Sequence, residues 1–227
     1  DARAAKPALE TLKEHLRSPI YSRRSAALTA AQTLGPHAAD LLPAIIEAAK
    51  LEKYRRPHMD AIAAMGPAAA QAVPYLLEVL HSKDQADVRE RAAMALGAIG
   101  AKAAAAVPDL IKAMRHEEHV ISYAAIDALG QMGDASADAV PVMIKLLEQP
   151  FGAGEDGRHH VLRALAKLGP KLAAQAGPAA AQIISGREGA KLKATAAQTL
   201  PKFCPDPPKG LIEEMTSLAG DRDFRLG

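Results

Sequence analysis

The sequence predicts an all-α solenoid of about six helical hairpins plus one extra C-terminal helix. The first observation behind this is a signature that returns along the 227 residues: a small-residue helix end, a Gly or Pro, then a Val-Pro or its equivalent about eight residues on. Leu34-Gly35 leads to Leu42-Pro43, Met65-Gly66 to Val73-Pro74, Ile99-Gly100 to Val107-Pro108, Met132-Gly133 to Val140-Pro141, and Leu168-Gly169 to Gly177-Pro178. A degenerate sixth copy runs from Leu200-Pro201 to Pro207-Pro208, and the marks recur after 31, 34, 33, 36 and 32 residues. Self-similarity at such a period marks a stacked-repeat architecture. The second observation is composition: 49% hydrophobic but 3% aromatic, with no Trp. Much of the apolar content is alanine, which favours closely packed helices over sheets. The third is periodicity. Val88, Ala92, Ala95 and Ile99 are spaced 4, 3 and 4 apart and form one apolar stripe. That stripe ends at Gly100, a natural helix C-terminal position.

The elements follow from aligning the marks. Repeats are expected at about 1–35, 36–66, 67–100, 101–133, 134–169 and 170–201, with a partial one over 202–227, all in a single array. Each first helix carries its proline near the start, as in Val107–Met114 and Val140–Leu147. Proline is tolerated in a first turn because its missing N–H had no partner there. A helix starting earlier, at Ala103 or Ser136, would instead be kinked by the same proline. Second helices are expected around 20–34, 55–65, 86–99, 119–132, 157–168 and 189–200, with a lone helix at about 208–219. Pro57 moves the start of the second of these to Arg55 or Arg56. The chain begins at Asp1, and Asp221-Arg222-Asp223-Phe224-Arg225 reads as the opening of another repeat. It is therefore expected to be a piece of a longer protein.

Charge narrows the partners. Lys+Arg 28 against Asp+Glu 26 leaves +2, a balance that does not call for nucleic acid. The single Cys204 excludes an intrachain disulfide and leaves the compartment open. No apolar run approaches the roughly 20 residues of a membrane span.

The stretch Asp87-Val-Arg-Glu-Arg-Ala-Ala-Met-Ala-Leu-Gly-Ala-Ile-Gly100, followed by Ala106-Val-Pro-Asp-Leu-Ile111 and echoed in Tyr123–Gly133, resembles HEAT repeats. In particular, it is similar to the short bacterial form called PBS-lyase HEAT-like. The resemblance covers nearly the whole chain and implies a helical array that holds a protein partner. It also admits a phycobilin-lyase-type enzyme or enzyme subunit. Deoxyhypusine hydroxylase shares the fold and binds two irons through His-Glu pairs at the start of its second helices. The matching positions here are Arg56-Pro57, Glu90-Arg91, Tyr123-Ala124 and His159-His160, none of them a His-Glu pair.

An arginine recurs eleven residues before the mark, at Arg24, Arg55, Arg89 and Arg158, with Ser122 and Ala190 breaking the row. Such a row could track a phosphate backbone. The balanced charge and absent aromatic platforms favour a structural role instead, bonding to acidic or carbonyl groups of the adjoining repeat, with Asp84 and Asp87 as candidate partners. His116-Glu-Glu-His119 and His159-His160 do not supply converging metal ligands, since helix neighbours point about 100° apart. Gly152-Ala-Gly-Glu-Asp-Gly157 matches G-x-G-x-x-G without the strand a dinucleotide site requires, and reads as an insertion loop. No metal, cofactor or catalytic residue is expected, and Cys204 reads as a small buried side chain.

HEAT arrays present their second helices on the concave side. The stripe pointing away from the core reads Ser25-Thr29-Gln32, Arg56-Asp60-Ala63, Glu90-Met94-Gly97, Tyr123-Asp127-Gly130, His159-Arg163-Ala166 and Lys191-Thr195-Gln198. Asp60, Glu90 and Asp127 make an acidic centre. Arg163, His159 and Lys191 make a basic C-terminal end, and Tyr123 and Met94 offer apolar contact. A mixed-sign surface with few anchors suits a protein or peptide partner. The expected function is thus non-catalytic protein binding or scaffolding, through Arg56, Asp60, Glu90, Met94, Tyr123, Asp127, His159 and Arg163.

Overall fold

The computed structural model describes residues 2–149, 154–207 and 209–220, and no strand occurs among them. The helices in chain order are α1 (Ala2–Leu16), α2 (Tyr21–Leu34), α3 (Leu42–Leu51), α4 (Arg56–Ala64), α5 (Val73–His81), α6 (Ala86–Ile99) and α7 (Val107–Ala113). They continue with α8 (His119–Gln131), α9 (Val140–Glu148), α10 (Gly154–Leu168), the short α11 (Pro170–Ala173), α12 (Gly177–Ser185), α13 (Ala190–Phe203) and α14 (Lys209–Gly220). The fold is the all-α solenoid that the periodicity predicts. Helix α4 starts at Arg56 with Pro57 in its first turn, as expected. Pro208 and Asp221–Arg225 lie outside the described residues.

The Gly–Pro signature has a physical reading at both ends. Gly35, Gly66, Gly100, Gly133 and Gly169 all have positive φ, from 54° to 73°. A residue with a side chain is strained by about 1–2 kcal/mol in such a conformation, so glycine closes each of the first five second helices. Seven residues of 3₁₀ helix follow at Gly35–Leu41, Gly66–Ala72, Gly100–Ala106 and Gly133–Ala139. The α-helix then begins at Leu42, Val73, Val107 or Val140, with proline as its second residue. This accounts for the spacing of eight and settles the proline in the first turn. In the fifth repeat α11 and a three-residue 3₁₀ turn replace that segment, and the proline comes one residue later.

Long 3₁₀ runs are uncommon, and three of these bend at a buried small residue: Ala69, Ala103 or Ser136. The Ser136 hydroxyl donates to the Leu129 carbonyl at 2.6 Å, so even this polar residue is satisfied inside. An added Cβ on Gly100 would meet nothing within 4 Å, so only its backbone matters. Gly100→Ala is expected to cost about 1–2 kcal/mol in urea unfolding without altering helix content.

Two expectations are corrected. The sixth mark does not end its helix, because α13 continues through Pro201 to the fully buried Phe203. No left-handed glycine stands there to stop it. The insertion loop is also shorter than expected: α10 begins at Gly154, so Gly154–Gly157 is its first turn, while 150–153 lies outside the described residues.

The described chain divides into two compact units, Asp1–Asp109 and Leu110–Gly227. In the first, Met59, Ile62, Met65, Leu76, Leu96 and Ile99 form the buried centre. In the second, Leu110, Met114, Ile121, Leu129, Leu162, Leu192 and Phe203 do so. The predicted stripe Val88, Ala92, Ala95 and Ile99 is buried throughout. Among the described residues one stretch, Ala86–Ala113, is long and apolar enough to cross a membrane by length and composition, with a window of mean hydropathy 1.4. Its apolarity comes from packing residues, and the positive φ of Gly100 breaks it into separate helical segments.

Candidate functional site

In the second unit, α8, α10 and α13 frame a cleft of about 610 Å³. Its lining includes Tyr123, His159, Arg163, Lys191, Thr195 and Gln198, all from the predicted outward stripe. Helical spacing explains the convergence. His159 and Arg163 are four apart on α10, and Lys191, Thr195 and Gln198 follow at 4 and 3 on α13, so each set shares a face. Asp156, His160, Thr199 and Lys202 complete the lining and were not foreseen.

The aromatic wall is a stack. The Tyr123 and His160 rings lie 4.5 Å apart at 9°, and His119 and Tyr123 lie 5.9 Å apart at 13°. His160 Nδ1 sits 2.9 Å from Asp127 Oδ2, which fixes the ring edge-on to that carboxylate. Burial, reinforced by the nearby Asp156 carboxylate, raises the Tyr123 phenol above its ordinary range. The hydroxyl therefore remains neutral.

His159 was expected to face a partner, but it is buried, and its Nδ1 lies 2.7 Å from Thr195 Oγ1. Thr195 gives its own proton to the Lys191 carbonyl at 3.1 Å. The histidine and the threonine hydroxyl thus share a short hydrogen bond between the two helices. His159 pins α10 to α13 and forms the wall of the cleft. The two adjacent histidines thus bond in different directions, one to Thr195 and one to Asp127.

In the first unit the predicted residues pair with one another. Asp60 lies 3.5 Å from Arg91 Nε and 3.9 Å from Arg56 Nε, and Arg56 also approaches Asp87 at 3.9 Å. Met94 is exposed and its sulfur accepts from Arg91 Nη1 at 3.7 Å, while Glu90 is half-buried. Of the acidic centre read from Asp60, Glu90 and Asp127, Asp60 is thus partly neutralised by arginines and Asp127 is in contact with the His160 ring.

The arginine row joins successive repeats. Arg24 Nε donates to Glu52 at 2.6 Å, Arg55 Nη2 meets Asp84 at 2.9 Å, and Arg158 grips Glu188 in a bidentate pair at 3.0 and 2.7 Å. Each reaches an acid 28–30 residues on, in the turn of the next repeat. The Arg158 guanidinium holds the Glu188 carboxyl below its ordinary range. Arg89 Nε donates to the Leu80 carbonyl at 3.0 Å. Ser122, which breaks the row in sequence, does the same for Met114 at 2.6 Å. The position serves to close the preceding helix or to tie down the next turn. Cys204 is half-buried, and an added Cβ on Gly177 would come within 2.9 Å of its sulfur.

Residues 73–153 match the family model for HEAT repeats, covering α5 through α9. No curated protein matches the chain.

Proposed function

We propose that this chain, a HEAT-repeat protein, is a non-catalytic interaction module that holds a protein or peptide against the outward stripe of its second helices. HEAT repeats commonly mediate protein–protein interaction. The observation that carries the reading further is the cleft of the second unit, where Tyr123, His159 and Arg163 come together with Lys191, Thr195 and Gln198. A wall with one aromatic anchor and a cationic rim has the composition of a binding hot spot with its surround.

Two competing chemistries find less support. The arginine row that could have followed a phosphate backbone has charges committed to carboxylates at Arg24, Arg55 and Arg158. Nucleophilic catalysis needs a base within hydrogen-bond reach of a nucleophile. His160 and Asp127 form a base-like pair, yet among the described residues no hydroxyl or thiol is hydrogen-bonded to the His160 ring.

Tyr123→Ala combined with Arg163→Glu is expected to weaken partner binding at least about tenfold while circular dichroism stays unchanged. Affinity left intact by this double variant, but abolished by substitutions on the first helices, would place the working surface elsewhere.

A further inference from the structure

We infer that the cleft between α8, α10 and α13 takes an acidic segment of the partner, about five extended residue steps long with a carboxylate side chain toward each end. The inference rests on the interaction reading above and gives its occupant a chemistry.

The first ground is unmatched charge. Arg24, Arg55, Arg56, Arg91 and Arg158 each have a carboxylate within 4 Å. Among the described residues Arg163, Lys191 and Lys202 have none, yet all three line one cleft, where Asp156 is the lone carboxylate. All three are exposed. Cations held together without counter-charge repel one another, and an anionic occupant relieves that repulsion and is steered in by it.

The second ground is spacing. Lys191, Thr195, Gln198 and Lys202 follow at 4, 3 and 4 on α13 and share one face. The two lysines stand eleven residues apart, about 16 Å along the helix. An extended chain covers that distance in about five residue steps. Between the lysines lie a hydroxyl and the exposed Gln198 amide, groups able to bond a peptide backbone but neutral.

The same spacing argues against a nucleic acid strand. Its closely set phosphates would meet uncharged Thr195 and Gln198 and the repelling Asp156. A base would also need an open aromatic face, and the Tyr123 ring is already stacked on His119 and His160. A peptide with charges near its ends and an uncharged middle matches what the cleft presents.

The test uses the full chain and three probes: a capped hexapeptide Glu-Ala-Leu-Ala-Ala-Glu, its counterpart with Gln at both ends, and a single-stranded oligothymidylate. Titration followed by ¹⁵N NMR should move resonances of α10 and α13 around Arg163, Lys191 and Lys202 with the acidic peptide. The Gln counterpart should bind at least tenfold more weakly. The double variant Lys191→Glu, Lys202→Glu should lose at least tenfold with helix content retained, and Asp156→Asn should tighten binding severalfold. Raising salt from 0.05 to 0.5 M should weaken binding, since exposed pairs are screened.

Equal binding of the Gln peptide, or oligothymidylate filling the same cleft at lower concentration, would overturn the inference. If the acidic peptide fails while Tyr123→Ala with Arg163→Glu still releases the partner, the acidic occupant is wrong and the interaction reading stands. If that double variant keeps its partner, both fall.

Discussion

Gly130→Ala is expected to destabilise the second unit by about 2 kcal/mol, and Gly130→Leu by about 3 kcal/mol or more. The sign is the informative part, because alanine is the better helix former by about 1 kcal/mol. Gly130 lies inside α8, buried against α10. A Cβ there would sit 2.8 Å from Ala164 Cα and 2.9 Å from Ala164 Cβ. Backbone cannot rotate away as a side chain can, so the two helices must part. Gly210, in α14, has nothing within 4 Å of its added Cβ. The same substitution there should be neutral or stabilising by up to about 1 kcal/mol. Urea unfolding of the two variants beside the parent separates the cases; a stabilised Gly130→Ala would mean that the helix contact has slack. Although Gly130 belongs to the outward stripe of the sequence, the room it leaves is filled by Ala164.

Acidification should cost the fold about 3 kcal/mol through one histidine. His58 on α4 is 3% exposed, and neither ring nitrogen makes a well-formed hydrogen bond. Burial pushes its pKa from 6.5 down to about 4; Glu52 works against this shift and Arg24 adds to it. In the unfolded chain the ring takes a proton near pH 6.5, whereas in the fold it resists until about pH 4. Between those values the unfolded state binds more protons, so stability falls as pH falls through that window. Below about pH 4 the loss from this group is complete. From pH 7 through 5.5 to 4.5 the urea midpoint of the parent should therefore fall relative to that of His58→Leu, in a way that carboxylate titration, common to both, cannot produce. A constant difference across that range would show that His58 charges freely in the fold.

Most of the helical order was legible because the marks encode hard constraints. A glycine with positive φ and a proline without an N–H are conformational statements that neighbouring residues do not override. The seven-residue 3₁₀ segments were not legible. Stretches such as Ala68–Ala72 have strong α-helical propensity, and only packing of the buried Ala69 position bends them. Helix α10 was placed three residues late because Gly154 and Gly157 read as loop, although Gly157 is buried within the helix.

At the site, spacing alone assembled Tyr123, His159, Arg163, Lys191, Thr195 and Gln198. Lys202 was missed because Pro201 was read as a stop, though it continues the 4, 3, 4 progression from Lys191. His160 was considered only as a metal ligand, and its stacking on Tyr123 depends on the approach of α8 to α10. His159 was legible in position but not in exposure, since its bond to Thr195 crosses between helices.

The arginine pairs have a consequence under mechanical load. Arg24–Glu52, Arg55–Asp84 and Arg158–Glu188 each fasten one hairpin to the turn of the next, so the fasteners are in series along the chain. A pull on the two ends puts the same tension on each of them, and the weakest gives way first. Each rupture then frees a length of about 30 residues, which extends to roughly 100 Å. The array would release slack in steps of one repeat, acting as a graded spring whose increments are set by how far each arginine reaches.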